Sequence, residues 1–126
     1  MATLHPPLNG LSVDKHDLQA RVLGWQTVGS CSVTVNDLYH FAASGSYRAL
    51  GRSGTFDLKL DLTDEDPTVP SGPCTVTNGG QTFSGTYTRN GTQISFATVG
   101  YNVTISPEGQ NVILEASGYP KVRILA

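Results

Sequence analysis

The segment GTFDLKLDL (54–62) places Phe56, Leu58, Leu60 and Leu62 at every second position, with Asp57, Lys59 and Asp61 between them. Successive side chains of a β-strand point to opposite faces, so this alternation describes a strand with one face in a core and one in water. A helix of the same residues would spread the four apolar side chains over two sides. The period recurs in TQISF (Ile94, Phe96), YNVTI (Val103, Ile105), QNVILEA (Val112, Leu114, Ala116) and the short PKVRIL. Turn-forming residues separate these runs. Asn90-Gly91 suits the positive φ of a type I′ hairpin, and Asn78-Gly79-Gly80 and Pro107-Glu108-Gly109 are similar breaks. Near the start, DKHD (14–17) reads as a break between LSV and LQARVLGW.

A second regularity lies on top of the first. CSVTVNDLYHFAASGSY (31–47) and CTVTNGGQTFSGTY (74–87) spell one phrase twice: both open C-[ST]-V-T and close S-G-[ST]-Y. A third version runs through Asn102-Val103-Thr104 to Ser117-Gly118-Tyr119, with Tyr101 in the cysteine's place, and LSVDKHDLQARVLGW is a fainter N-terminal copy. Each unit reads as strand, turn, strand. A glycine within a strand marks a close approach or a bulge, and the tyrosine beside it can cover the gap. The Thr-Val pairs that precede the units are 41 and then 30 residues apart, so the chain is no regular solenoid. Hairpins in series predict an all-β antiparallel meander of about eight strands. Such a sheet hides its edges by closing into a barrel or, as the alternative, by splitting into a two-sheet sandwich. FSGTYTRNGTQISF (83–96) resembles the hairpins of small meander barrels of the lipocalin and avidin type; the resemblance implies architecture alone.

Two stretches depart from the pattern. NDLYHFAAS could open a helical turn with Asn36 or Asp37 as its cap, and reads better as a loop followed by a strand. TDEDPTVPSGP (63–73), rich in proline and acids, reads as a long connection. Residues 1–10 read as an N-terminal tail and 11–126 as one β domain.

Charged residues are only 14% of the 126, and net charge is −2. The eight basic residues are scattered, which argues against nucleic acid as a partner. No stretch approaches the ~20 apolar residues of a membrane-spanning helix. The start MATLHPPLNG lacks the basic and apolar regions of a signal peptide, so a secreted or surface protein would have had its leader removed.

Cys31 and Cys74 hold equivalent places in two copies and share a face with Val33 and Val76. A disulfide between them would close 44 residues and contribute ~4 kcal/mol in the chain-entropy model. It would also imply an oxidising compartment; the alternative is two buried thiols. No C-x-x-C is present to support redox chemistry or zinc.

Asp61, Asp64, Glu65 and Asp66 form a weak candidate for a Ca²⁺ site, since the run lacks the alternating ligands and glycine of a calcium loop. His5, His16 and His40 have no metal-ligand spacing. His16 reads as a turn residue and His40 as exposed between Tyr39 and Phe41. No serine sits in a nucleophile elbow and no carboxylate pair stands out, so no enzyme and no cofactor is expected. Trp25 reads as core or barrel-mouth packing. With Tyr47, Tyr87 and Tyr119 it is the candidate for stacking on a ligand.

These features predict a non-catalytic binding module outside the cytoplasm: secreted, periplasmic, or on a cell or virion surface. It would hold a small apolar ligand inside the barrel, or recognise a protein or glycan with its loops. The alternative is a structural or decoration subunit of a virion or surface assembly, with homo-oligomers as its expected state.

Overall fold

A computed structural model of the protein describes residues 7–49, 51–63, 69–99 and 101–126. Among these are ten strands: β1 (Lys15–Arg21), β2 (Trp25–Asn36), β3 (His40–Ala49), β4 (Arg52–Leu62), β5 (Ser71–Asn78), β6 (Gln81–Asn90), β7 (Gln93–Thr98), β8 (Tyr101–Glu108), β9 (Asn111–Ala116) and β10 (Val122–Ile124). Each is antiparallel to its chain neighbour, and β1 pairs with β10 through Leu18↔Ile124, so the meander closes into a barrel without a free edge. The ring has ten strands rather than about eight. The chain-terminal β1 and β10 supply the closing pair.

Alternation sets which face of each strand turns inward. Leu58, Leu60 and Leu62 of β4 are buried, while Asp57 before them and Lys59 between them are exposed. Cys31 and Val33, Ile94 and Phe96, Val103 and Ile105, Val112 and Leu114, and Ile124 do the same from their own strands. Together they fill the barrel axis with one apolar cluster. No helix among the described residues is long and apolar enough to cross a membrane.

Several local expectations change. DKHD is no turn: Lys15, His16 and Asp17 begin β1, and His16 points inward, buried, its Nε2 2.8 Å from the Ser12 carbonyl oxygen. Asp37 caps no helix. Its Oδ1 instead accepts from the Tyr39 and His40 amides, both at 2.7 Å, and so tightens the β2–β3 bend. The β6–β7 loop is Gly91-Thr92, one residue beyond Asn90-Gly91, because Asn90 still pairs with Gln93. The tail's described part is docked: Asn9 Nδ2 donates to the carbonyls of Gly109 and Asn111, and Leu11 is buried.

The repeated phrase survives as geometry in two copies. Gly45 lies directly across from Cys31, and Gly85 directly across from Cys74. Both glycines are close-approach sites. A Cβ at Gly45 would stand 2.2 Å from the Ser30 carbonyl oxygen, and one at Gly85 1.9 Å from that of Ala97. The third copy ends differently, since Gly118 has a φ of 82° and Ser117-Gly118-Tyr119 is a turn. The copies β2–β3 and β5–β6 are offset by three strands, and in an antiparallel meander an odd offset reverses direction. The two hairpins therefore point opposite ways along the barrel.

The disulfide expectation is overturned. Cys31 and Cys74 are buried, unbonded thiols. Three strand steps separate β2 from β5, about 14 Å along the sheet, against the ~7 Å Cα limit for a bridge.

Candidate functional site

Every odd-to-even connection (β1–β2, β3–β4, β5–β6, β7–β8, β9–β10) reaches one end of the ring, called here the upper end. Every even-to-odd connection reaches the lower end. The two are built differently.

The lower end is sealed. Arg89 of β6 sits among aromatic rings there: its guanidinium carbon is 5.5 Å from the Tyr39 ring centroid and 5.9 Å from that of Tyr87. Its Nη2 donates to the Leu38 carbonyl at 3.2 Å. Asn36 Nδ2 donates to the Leu11 carbonyl at 2.9 Å, which fastens the incoming segment across the opening. What space remains beneath Leu8, Leu38 and Phe41 amounts to about 10 Å³, no more than one water's worth. His40 and Asp61, direct cross-strand partners on the outer face of β3 and β4, meet through Nδ1 and Oδ1 at 2.7 Å.

The upper end is open in character. Phe83 and Tyr101 stack with centroids 6.2 Å apart, and the half-buried Tyr47 and Phe56 pack against the same core. Burial pushes the Tyr101 hydroxyl pKa up, and the neighbouring Tyr119 adds to it. Beyond this aromatic floor three connections end in uncovered apolar side chains: Leu23 is 90% exposed, Val99 88% and Tyr119 61%. Beside β3 and β4 lies a shallow depression of about 480 Å³ lined by Val28, Tyr47, Arg48 and the backbones of Gly29 and Gly54. Gly29 is required here, because a Cβ would stand 2.0 Å from the Ser46 carbonyl oxygen, and a Cβ at Gly54 would displace the Tyr47 ring, its hydroxyl 2.6 Å away.

Charge divides the same way. Arg21, Arg48, Arg52 and Lys121 are exposed at the upper end. Among the described residues two carboxylates stand near it: Glu115, 3.9 Å from Lys121, and the exposed Asp57, whose carbonyl accepts from Gly79 N of the β5–β6 turn at 3.0 Å. At the lower end Asp14, Asp37, Asp61 and Glu108 stand against Lys15 and Arg89.

The four aromatic candidates do not form one site. Tyr47 and Tyr119 are at the upper end. Tyr87, in the matching place of the second copy, is fully buried near the lower end beside Gly72. Trp25 is neither core nor mouth. It opens β2 on the outer face, with the Arg123 guanidinium 4.1 Å from its ring centroid and Arg123 held in turn by Glu108 at 3.0 Å. Of the acidic candidates, Asp61 is engaged by His40, and Asp64, Glu65 and Asp66 lie outside the described residues. Among the described residues no three His, Cys, Asp or Glu side chains gather as a metal site would require. Sequence reasoning missed Leu23 and Val99, whose only signal was an apolar residue inside a turn. Comparison with protein-family models, with curated proteins and with solved structures finds no match.

Proposed function

We propose that the protein is a non-catalytic interaction module that meets its partner with the upper end of the barrel. One contrast carries this reading: the recess at the lower end holds only about 10 Å³ and the larger depression beside β3 and β4 is shallow and open, while Leu23, Val99 and Tyr119 stand uncovered at the upper end. A barrel that carries an apolar ligand needs a cavity of a few hundred Å³, so contact through the loops is the better-supported version. Exposed apolar side chains cost solubility, and three of the four large ones among the described residues gather at the upper end, Val13 before β1 being the one at the lower end, which marks the upper end as an interaction surface. The location outside the cytoplasm rests on the low charge and the Ser, Thr and Gly richness of the chain, since the thiols lend it no support.

Amide chemical-shift mapping tests the reading. Titration with glycans, small apolar ligands and lipid vesicles is expected to move residues 22–24, 99–102 and 117–121 with at least one of them. Shifts centred on interior residues such as Val76 and Val103, or on His40 and Asp61, would refute it. The opposite charge of the two ends favours one further reading, a subunit that stacks head to tail. Light scattering that shows concentration-dependent growth would select it.

A further inference from the structure

We propose that the upper end is a docking surface for an anionic lipid bilayer. The inference rests on the reading above and names its partner. Leu23, Val99 and Tyr119 belong to three different connections of the ring, and the β5–β6 connection between others is the bare Gly79-Gly80. They are therefore separate prongs and not a continuous apolar face. A folded partner would need a matched pocket for each prong, whereas a bilayer interface deforms around them. Cations stand at the base of the prongs. Arg21 is two residues from Leu23, Lys121 two from Tyr119, and Arg48 and Arg52 flank the β3–β4 connection, all four exposed.

An apolar tip with a basic neck suits a negatively charged interface: the tip enters the acyl boundary while the cations meet headgroup phosphates. Tyr119, itself exposed, offers an amphipathic ring of the kind that favours the headgroup layer, above the half-buried floor of Tyr47 and Tyr101. A second copy fits less well. Two upper ends face to face would oppose like charges. Head to tail, the lower end of the next copy offers a recess of only about 10 Å³, too small for Leu23.

Vesicle co-sedimentation at low ionic strength decides the matter, with phosphatidylcholine alone and phosphatidylcholine mixed with phosphatidylserine as the two surfaces. The protein is expected to partition onto the mixed vesicles and to leave them as salt rises. Arg48→Gln with Arg52→Gln should lower partitioning about thirtyfold, from roughly a fivefold contribution per basic residue. Leu23→Ser with Val99→Ser should lower it too. All four substitutions are at exposed positions, so unchanged thermal melting certifies that the fold is intact. Equal binding to both vesicle types, no binding to either, or binding that ignores the double arginine variant would overturn the proposal. Self-association abolished by Leu23→Ser/Val99→Ser, without vesicle binding, would assign the prongs to a second copy. That result would reject the bilayer and leave the upper-end reading standing. Absence of vesicle binding together with chemical-shift changes away from the upper end would reject both.

Discussion

Tyr47 and Tyr87 close the same four-letter phrase and have opposite fates. Tyr47, on β3, lies half-buried at the upper end over the backbone of Gly54. Tyr87, on β6, is wholly enclosed beside Gly72 and under the guanidinium of Arg89. The local geometry is shared: a glycine two residues earlier faces a buried cysteine, and the ring sits against a glycine of the adjacent strand. What differs is direction. Three strands separate the copies, so one phrase runs up the barrel and the other down. One motif thus serves both as an uncovered floor and as part of a plug. A short sequence repeat specifies cross-strand contact and leaves the surroundings to the topology.

The contrast can be broken by truncation. Tyr87→Ala should cost about 3–5 kcal/mol, as removal of a large buried aromatic side chain does. Tyr47→Ala should cost less than half of that, because part of its ring already faces water. Urea unfolding of both variants checks this, and equal losses would mean that the two ends are equally packed.

Next in size is a pH effect that the first residues of the two copies share. Burial pushes the Cys31 thiol up to about 11 from an ordinary 9.0 and raises that of Cys74 as well. The unfolded chain releases the Cys31 proton near pH 9.0, while the folded chain holds it to about 11. Above 9.0 the unfolded state binds fewer protons, so the stability present below 9.0 is lost as pH climbs to about 11. The loss at Cys31 should reach about 2–3 kcal/mol. Denaturation midpoints measured across this window should fall in the parent, fall less in Cys31→Ala, and respond little to added reductant at any pH. A native protein without titratable thiols on denaturation would instead restore the bridge.

The seal of the lower end should be worth somewhat less. Asn36→Ala removes the donor that satisfies the Leu11 carbonyl and should cost about 1–3 kcal/mol. It should also raise amide exchange across residues 9–12. Smallest is Tyr87→Phe. The Tyr87 hydroxyl is buried with no hydrogen-bond partner among the described residues, so its removal should be neutral or stabilise by up to about 1 kcal/mol. Destabilisation beyond that would reveal a bond for this hydroxyl in solution.

The strands with clean alternation, β4 and β7 to β9, could be read directly, because their buried positions are aliphatic or aromatic and most exterior ones polar, with Ala97 and Ile113 as the exceptions. β1 could not. Its first inward side chain is His16, and a charged run with an imidazole in the interior looks like a turn until the Ser12 carbonyl that receives it is known. Trp25 was misplaced for a related reason: its indole is shielded by Arg123 from a strand nearly a hundred residues away in sequence. The pairing of His40 with Asp61 depended on a register that two separate strand patterns do not state. The exposed prongs were least legible of all. A leucine or valine in a turn gains meaning only when the ring places three such turns at one end.

Closure between β1 and β10 also fixes where the chain can be tethered. Leu125 N bonds the Asp17 carbonyl, Ala126 N bonds Asn111 Oδ1, and Asn9 reaches the same β8–β9 corner, so both ends of the described chain leave from one base. Whatever is fused after Ala126 hangs from that base and presents Leu23, Val99 and Tyr119 outward, like a stopper held by its stem. A tag or an anchoring support attached there leaves the opposite rim unobstructed.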